Sequence, residues 1–181
     1  MLLSKESIKK ELLDKDGGIV INPFDLNKLN PNSYNVTLDD VLYVYEDHVL
    51  DMKKNHKLKR LNIPKEGLLL VPGVVYIGKT VEYTETTKYI PMLEGRSSIG
   101  RLGISIHTTA GFGDIGFKGY WTLEISVTQP VKIYPGVEIG QLYYQTIDNT
   151  DGDKYNGKYQ NNKGAEGSKI YTEMNCNEES E

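Results

Sequence analysis

Arg96, Ser97, Ser98 and Arg101 lie within six residues of one another, and two carboxylates, Asp114 and Glu124, follow them. Two guanidiniums, two hydroxyls and the backbone N–H groups of a short helical turn over Ser97–Leu102, ended by Gly103, suit a phosphate chain. The same cluster also suits an ordinary exposed surface. Glycines at 100, 103, 111, 113 and 116 let the backbone come close to a ligand. The run Tyr120–Val127 alternates: Trp121, Leu123, Ile125 and Val127 share one face, and Tyr120, Thr122, Glu124 and Ser126 share the other. Glu124 therefore sits mid-strand on the more polar face. A carboxylate there can act as a general base, or it can simply face solvent from an edge strand. Gly116–Gly119 reads as the turn before this strand, so Asp114 and Glu124 flank one hairpin.

Other chemistries find little support. The histidines, His48, His56 and His107, are widely spaced, and no H-x-E occurs with a P-C-x-x-C, so the zinc deaminase constellation is absent. His107, alone on a short apolar run, reads as structural. No G-x-S-x-G, Cys–His pairing or P-loop is present.

The elements that must hold these residues are mostly strands. Residues 4–14 form a helix, with Ser4 as cap, Glu6 at the positive end of the dipole, and Ile8, Leu12 and Leu13 as an apolar stripe; Gly17 and Gly18 stop it. Short apolar runs broken by Gly, Pro, Asn and Asp then follow. They lie at Gly18–Ile21, Asn35–Leu38, Val41–Tyr45, Gly67–Val71, Val74–Ile77, Ile104–His107, Tyr120–Val127, Val131–Tyr134 and Ile139–Ile147. Many short strands between turn signals predict a mainly β sandwich or barrel. Residues 51–60 read as a solvated, charge-rich loop. Residues 1–148 form the β domain. From Asn149 to the end the chain is polar, with Tyr155, Tyr159, Lys158, Lys163 and Lys169 scattered through it. Such a segment is a flexible tail, either simply disordered or a lid that orders over an anionic, aromatic ligand.

Bulk properties narrow the class further. A net charge of −4 and a pI near 5.5 argue against a nucleic-acid partner. Cys176 is the only cysteine, which excludes a disulfide within one chain and fits a cytoplasmic location. MLLSKESIKKELL reads as a helix and not a signal peptide. No stretch approaches the roughly 20 apolar residues of a membrane span.

The run EGRSSIGRLGISIHTTAGFGDIGFKGYWTLEIS resembles the core motif of the dCTP deaminase family, within the dCTP deaminase/dUTPase superfamily. That motif joins E/D-G-R-S-S-L-x-R-L-G to H-x-T-A-x-x-x-D-x-G-F/W-x-G and then to a strand carrying L-E. Ile99 stands for the usual Leu. YPGVEIGQL is similar to the family's R-P-G-x-x-I-G-x-L, NPNSYNVTLDD to its S-Y-D-x-x-L strand, and KYQNNKGA to its K-Y-x-x-Q-x-G lid. The resemblance spans about residues 18–170.

The resemblance implies a mainly β fold, the distorted barrel or jelly roll shared with trimeric dUTPases, with a short N-terminal helix. It implies a homotrimer with active sites between subunits, zinc-independent deamination of dCTP, and Mg2+ carried by the triphosphate with no metal site of the protein's own. Glu124 matches the catalytic glutamate that deprotonates the water attacking cytosine C4. Ser97, Arg101 and the Ala110 carbonyl would place water and base. Arg96, Ser97, Ser98 and Arg101, with Lys158, would approach the triphosphate. Asp114 would meet the sugar 3′-OH, Tyr155 would close over the nucleotide, and dTTP enters as an inhibitor.

Three departures from the commonest pattern matter. Gly111-Phe112 and Gln141 resemble the bifunctional branch that forms dUMP and diphosphate from dCTP, which puts Phe112 at the substrate and Asp114, Gln141 or both on a second water. Gly113 replaces the usual Ile and so removes apolar packing near the sugar. Asn162 replaces the lid's Gln and is one methylene shorter. The alternatives are a single-step deaminase releasing dUTP, a plain dUTPase, and a non-catalytic nucleotide sensor.

Overall fold

The structure, a computed structural model, describes residues 1–107 and 109–176. Helix α1 (Lys5–Leu13) opens on Ser4, whose Oγ accepts from the Ser7 N–H at 3.4 Å, and Glu6 lies in its first turn. Ile8 is fully buried and Leu12 packs on the core, but Leu13 points to solvent, so the apolar stripe is narrower than the sequence implies. The helix ends at Asp14, in extended conformation, before the two glycines are reached.

Eleven strands follow among the described residues: β1 (Ile19–Asn22), β2 (Tyr34–Thr37), β3 (Val41–Tyr45), β4 (Leu58–Asn62), β5 (Leu68–Leu70), β6 (Tyr76–Thr86), β7 (Tyr89–Gly95), β8 (Ile104–Ser105), β9 (Lys118–Val127), β10 (Val131–Ile133) and β11 (Glu138–Thr146). A six-stranded sheet runs β4-β3-β6-β9-β8, with β1 also on β6. A three-stranded sheet runs β2-β11-β7, and β5 pairs with β10. The fold is mainly β, as the sequence implies, but these sheets do not close into one ring. Alternating side chains from β9 (Leu123, Ile125) and β11 (Ile139, Leu142, Tyr144) fill the space between them.

Two strand assignments need correction. Leu58–Asn62 belongs to β4, paired residue for residue with β3, so only the first part of residues 51–60 is loop. The turn before β9 is not Gly116–Gly119. It is Asp114–Phe117, closed by the Phe117 N–H on the Asp114 carbonyl at 3.2 Å, and β9 begins at Lys118. The hairpin partner of β9 is β8, so Asp114 lies in the long connection of one hairpin and Glu124 on its second strand.

Strand β6 buries polar side chains: Thr80, Glu82, Thr84 and Thr86 face inward. Glu82 is fully buried and satisfied, accepting from Thr37 N–H (2.8 Å), Thr37 Oγ1 (2.8 Å) and Lys28 Nζ (2.7 Å). Such partners offset the cost of taking a carboxyl group out of water. Three further helical pieces are a 3-10 turn (Leu26–Lys28), α2 (Ser97–Gly100) and α3 (Tyr171–Cys176). No described helix is long and apolar enough to cross a membrane.

Candidate active site

The β6–β9 ladder sets Glu124 opposite Ile77, with Thr122 and Tyr120 on the same face. This face floors a cleft of about 410 Å³. Its second wall is the 110–117 segment, which lies along the outer edge of β7. The Leu93 N–H donates to the Gly111 carbonyl (2.7 Å), the Gly113 N–H donates to the Pro91 carbonyl (2.9 Å), and Met92 bridges Phe112. Ala110, Phe112, Asp114 and Phe117 thereby line the cleft. Gly113 is there because nothing larger fits: a Cβ would lie 2.6 Å from Trp121 Cη2 and 2.9 Å from Pro91 Cγ. Replacing the usual Ile with Gly113 therefore removes no packing, because Trp121 and Pro91 occupy that space.

The third wall is the polar tail. Tyr155 N–H donates to the Ile115 carbonyl at 2.8 Å, and its ring lies 6.0 Å from that of Phe117. Gln160 bonds the Lys118 N–H and the Gly116 carbonyl, both at 2.8 Å. Asn162 is buried and bonds Tyr120, so its amide serves the strand rather than open cleft space. Glu166 also lines the cleft, its Oε2 2.6 Å from Lys169 Nζ. Tyr45, at the end of β3, completes the wall, and its hydroxyl accepts from the Ser168 N–H at 2.9 Å. Lys158 is exposed and paired with Glu173 of α3; that carboxylate raises the lysine's pKa.

The cleft is aromatic and carboxylate-rich, holding Asp114, Glu124 and Glu166, and among the described residues no Lys or Arg lines it. The expected cations are elsewhere on this chain. Arg96, at the N-cap of α2, donates to the Glu138 carbonyl (3.1 Å) and lies 3.0 Å from Glu138 Oε2. Ser97, Ser98 and Arg101 are exposed beside it, their side chains without partners among the described residues. Gln141 belongs to the same group: it pairs with Glu94 across β11–β7 and its Nε2 lies 3.3 Å from Ser33 Oγ and from Asn35 Oδ1, in a separate cleft of about 240 Å³. One chain thus brings together Glu124, Asp114, Ala110, Phe112, Tyr155 and Asn162, and holds Arg96, Ser97, Ser98, Arg101 and Gln141 apart from them.

One residue behind the cleft, in contact with Glu124, has a different place from the one its sequence context suggested. His107 Nδ1 lies 2.5 Å from Glu124 Oε2. The signal was available in the register: β8 pairs Ser105 with Ser126, so two residues further along the antiparallel pair His107 stands opposite Glu124. No group of three His, Cys, Asp or Glu side chains able to hold a metal gathers among the described residues.

Comparison with known proteins identifies the family. The chain matches the family described as dCTP deaminase-like over residues 2–147. It is 59% identical over 175 residues to a protein of Clostridium acetobutylicum named dCTP deaminase, dUMP-forming, covering 96% of this chain and 99% of that one. Proteins of the same name from Hathewaya histolytica and Cytophaga hutchinsonii are 57% and 53% identical, each over 96% of this chain and 99% of its own length. Among solved structures, that of 2′-deoxycytidine 5′-triphosphate deaminase from Agrobacterium tumefaciens superposes with a TM-score of 0.61 at 21% identity, over 80% of this chain and 48% of that one; this likeness concerns the fold.

Proposed function

The chain belongs to the dCTP deaminase-like family, and on that premise we propose that it deaminates dCTP and carries the product on to dUMP and diphosphate. The observation that carries this reading is Glu124, held mid-strand at the floor of an aromatic cleft with Asp114 on the facing wall. Water adds across the cytosine C4=N3 bond, Glu124 accepting a proton from it. One proton ends on N3 and one on the departing amine, so C4=O forms as ammonia leaves. The aromatic walls formed by Phe117 and Tyr155 suit the sugar and base, and Asp114 suits the sugar 3′-OH.

A triphosphate needs cations, and none lines this cleft among the described residues. In the proposed assembly, a homotrimer, a second copy brings Arg96, Ser97, Ser98 and Arg101 to the cleft mouth. Ser97, Ser98 and Arg101 are exposed, and their side chains have no partner among the described residues, which supports that role. Gln141 travels with that group and, with Asp114, would hold the second water that attacks the α-phosphate. Mg2+ accompanies the triphosphate as its counter-ion. Lys158 would reach the phosphates on leaving Glu173, and dTTP would compete for the same cleft.

The test is Glu124→Gln. The variant is expected to bind dCTP with little change and to release ammonia at least about 100-fold more slowly, the lower range for losing a general base. Native-rate ammonia release would remove Glu124 from the reaction.

A further inference from the structure

We propose that His107 is a positioning residue for the reaction, fixing which oxygen of Glu124 acts as the base; the inference rests on the reading of Glu124 given above. The β8–β9 pairing brings the imidazole to the carboxylate as a cross-strand neighbour, Nδ1 to Oε2 at 2.5 Å. The His107 side chain is 7% exposed, whereas that of Glu124 is 40% exposed and reaches the cleft. Next to the ring, the chain passes through Gly111, whose carbonyl is held by the Leu93 N–H, and a Cβ built on Gly111 would lie 4.0 Å from His107 Cδ2. Burial in this setting holds the ring in one orientation.

The partners of the ring determine its state. Nε2 is buried with no hydrogen-bond partner among the described residues. With its proton on Nδ1 the ring donates to Glu124 and leaves only a lone pair at Nε2. With the proton on Nε2 instead, an N–H would lie unpaired in the same buried place, which costs more. His107 therefore acts as a donor to Oε2. Glu124 Oε1 has no partner among the described residues and is the oxygen left for water. A carboxylate with one oxygen tethered cannot rotate away from the attacking water, and such supporting hydrogen bonds keep a reacting group in productive geometry.

Three variants separate this role from packing. Asn places its amide nitrogen where Nδ1 stands, whereas Gln places it nearer Nε2. His107→Ala is expected to lower kcat for ammonia release about 10- to 100-fold, the usual range for losing an orienting partner, with KM for dCTP within about twofold. His107→Asn should recover much of that loss and His107→Gln little of it. Equal losses in Asn and Gln that track a fall in Tm would make His107 a packing residue and overturn the proposal, as would wild-type kcat in all three. Wild-type protein and Glu124→Gln in the same assay distinguish the two readings. An inactive wild type overturns the Glu124 reading and this inference with it, whereas an active wild type with undiminished His107→Ala overturns this inference alone.

Discussion

Asn162 holds Tyr120 by both of its backbone polar groups: Tyr120 N–H donates to Asn162 Oδ1 at 2.7 Å, and Asn162 Nδ2 donates to the Tyr120 carbonyl at 2.8 Å. The side chain thus extends the sheet at the β9 edge, as a further strand would. The close approach needs Gly119, where a Cβ would lie 2.1 Å from Asn162 Oδ1. The tail is in this way attached to the strand that carries Glu124.

Asn162→Ala should therefore loosen the tail without unfolding the β domain. Removing a buried hydrogen-bonding partner costs about 1–3 kcal/mol, and each 1.4 kcal/mol is about tenfold in an equilibrium. The expected outcome is faster proteolysis between residues 150 and 170, a KM for dCTP raised roughly tenfold, and a Tm close to wild type. Truncation before Asn149 should raise KM further. An unchanged KM in both variants would separate the tail from catalysis.

Much of the fold was legible because its strands alternate. Strand β3 and most of β9 and β11 read directly from apolar residues two apart. Strand β6 was seen only at its first residues, because its buried face carries Thr80, Glu82, Thr84 and Thr86; the partners of Glu82, Thr37 and Lys28, are distant in sequence. Strand β7 was missed because Pro91 interrupts it. In the structure the backbone of Pro91, like that of Leu93, faces the 111–113 segment, so the missing N–H costs β7 no bond to β11. Strand β4 was hidden by Lys59 and Arg60, charges that suit an edge strand.

The candidate site was legible in its residue types and less so in its placement. Glu124 lies on the face that alternation assigned to it. The distance between the Arg96–Arg101 group and Glu124 along one folded chain is a matter of sheet order, which local pattern does not encode. His107 read as structural because its contact with Glu124 depends on the β8–β9 register.

The separation of the two groups predicts complementation between chains. Arg101→Ala and Glu124→Gln should each be nearly inactive alone. If the site is shared between copies, mixed assemblies contain sites with both native residues. Unfolding and refolding the two variants together should then restore ammonia release to a sizeable fraction of wild type. Activity no greater than that of the separate variants would place the whole site on one chain.

The β3–β4 loop carries a titrating contact. His56 Nδ1 lies 2.6 Å from Asp47 Oδ2, and its Nε2 lies 2.9 Å from the Asp51 carbonyl. These acceptors, Asp47 first, raise the histidine's pKa above its ordinary value near 6.5. Because the folded value is the higher one, the contact favours the ordered loop fully below about pH 6.5 and is lost as pH rises through the raised value. An NMR titration of His56 should give a midpoint above 6.5, and Asp47→Asn should bring it down. The same loop receives Asn175 Nδ2 on the Lys53 carbonyl, so Asp47→Asn should also speed amide exchange in α3.

The central claim is tested most directly by following dCTP with Mg2+ over time, resolving nucleotides by anion exchange and measuring ammonia and diphosphate in the same samples. The account predicts dUMP, ammonia and diphosphate rising together in equal amounts, with no free dUTP at any time. Accumulating dUTP would contradict the coupled reaction, and dUMP formed from added dUTP but not from dCTP would contradict deamination itself.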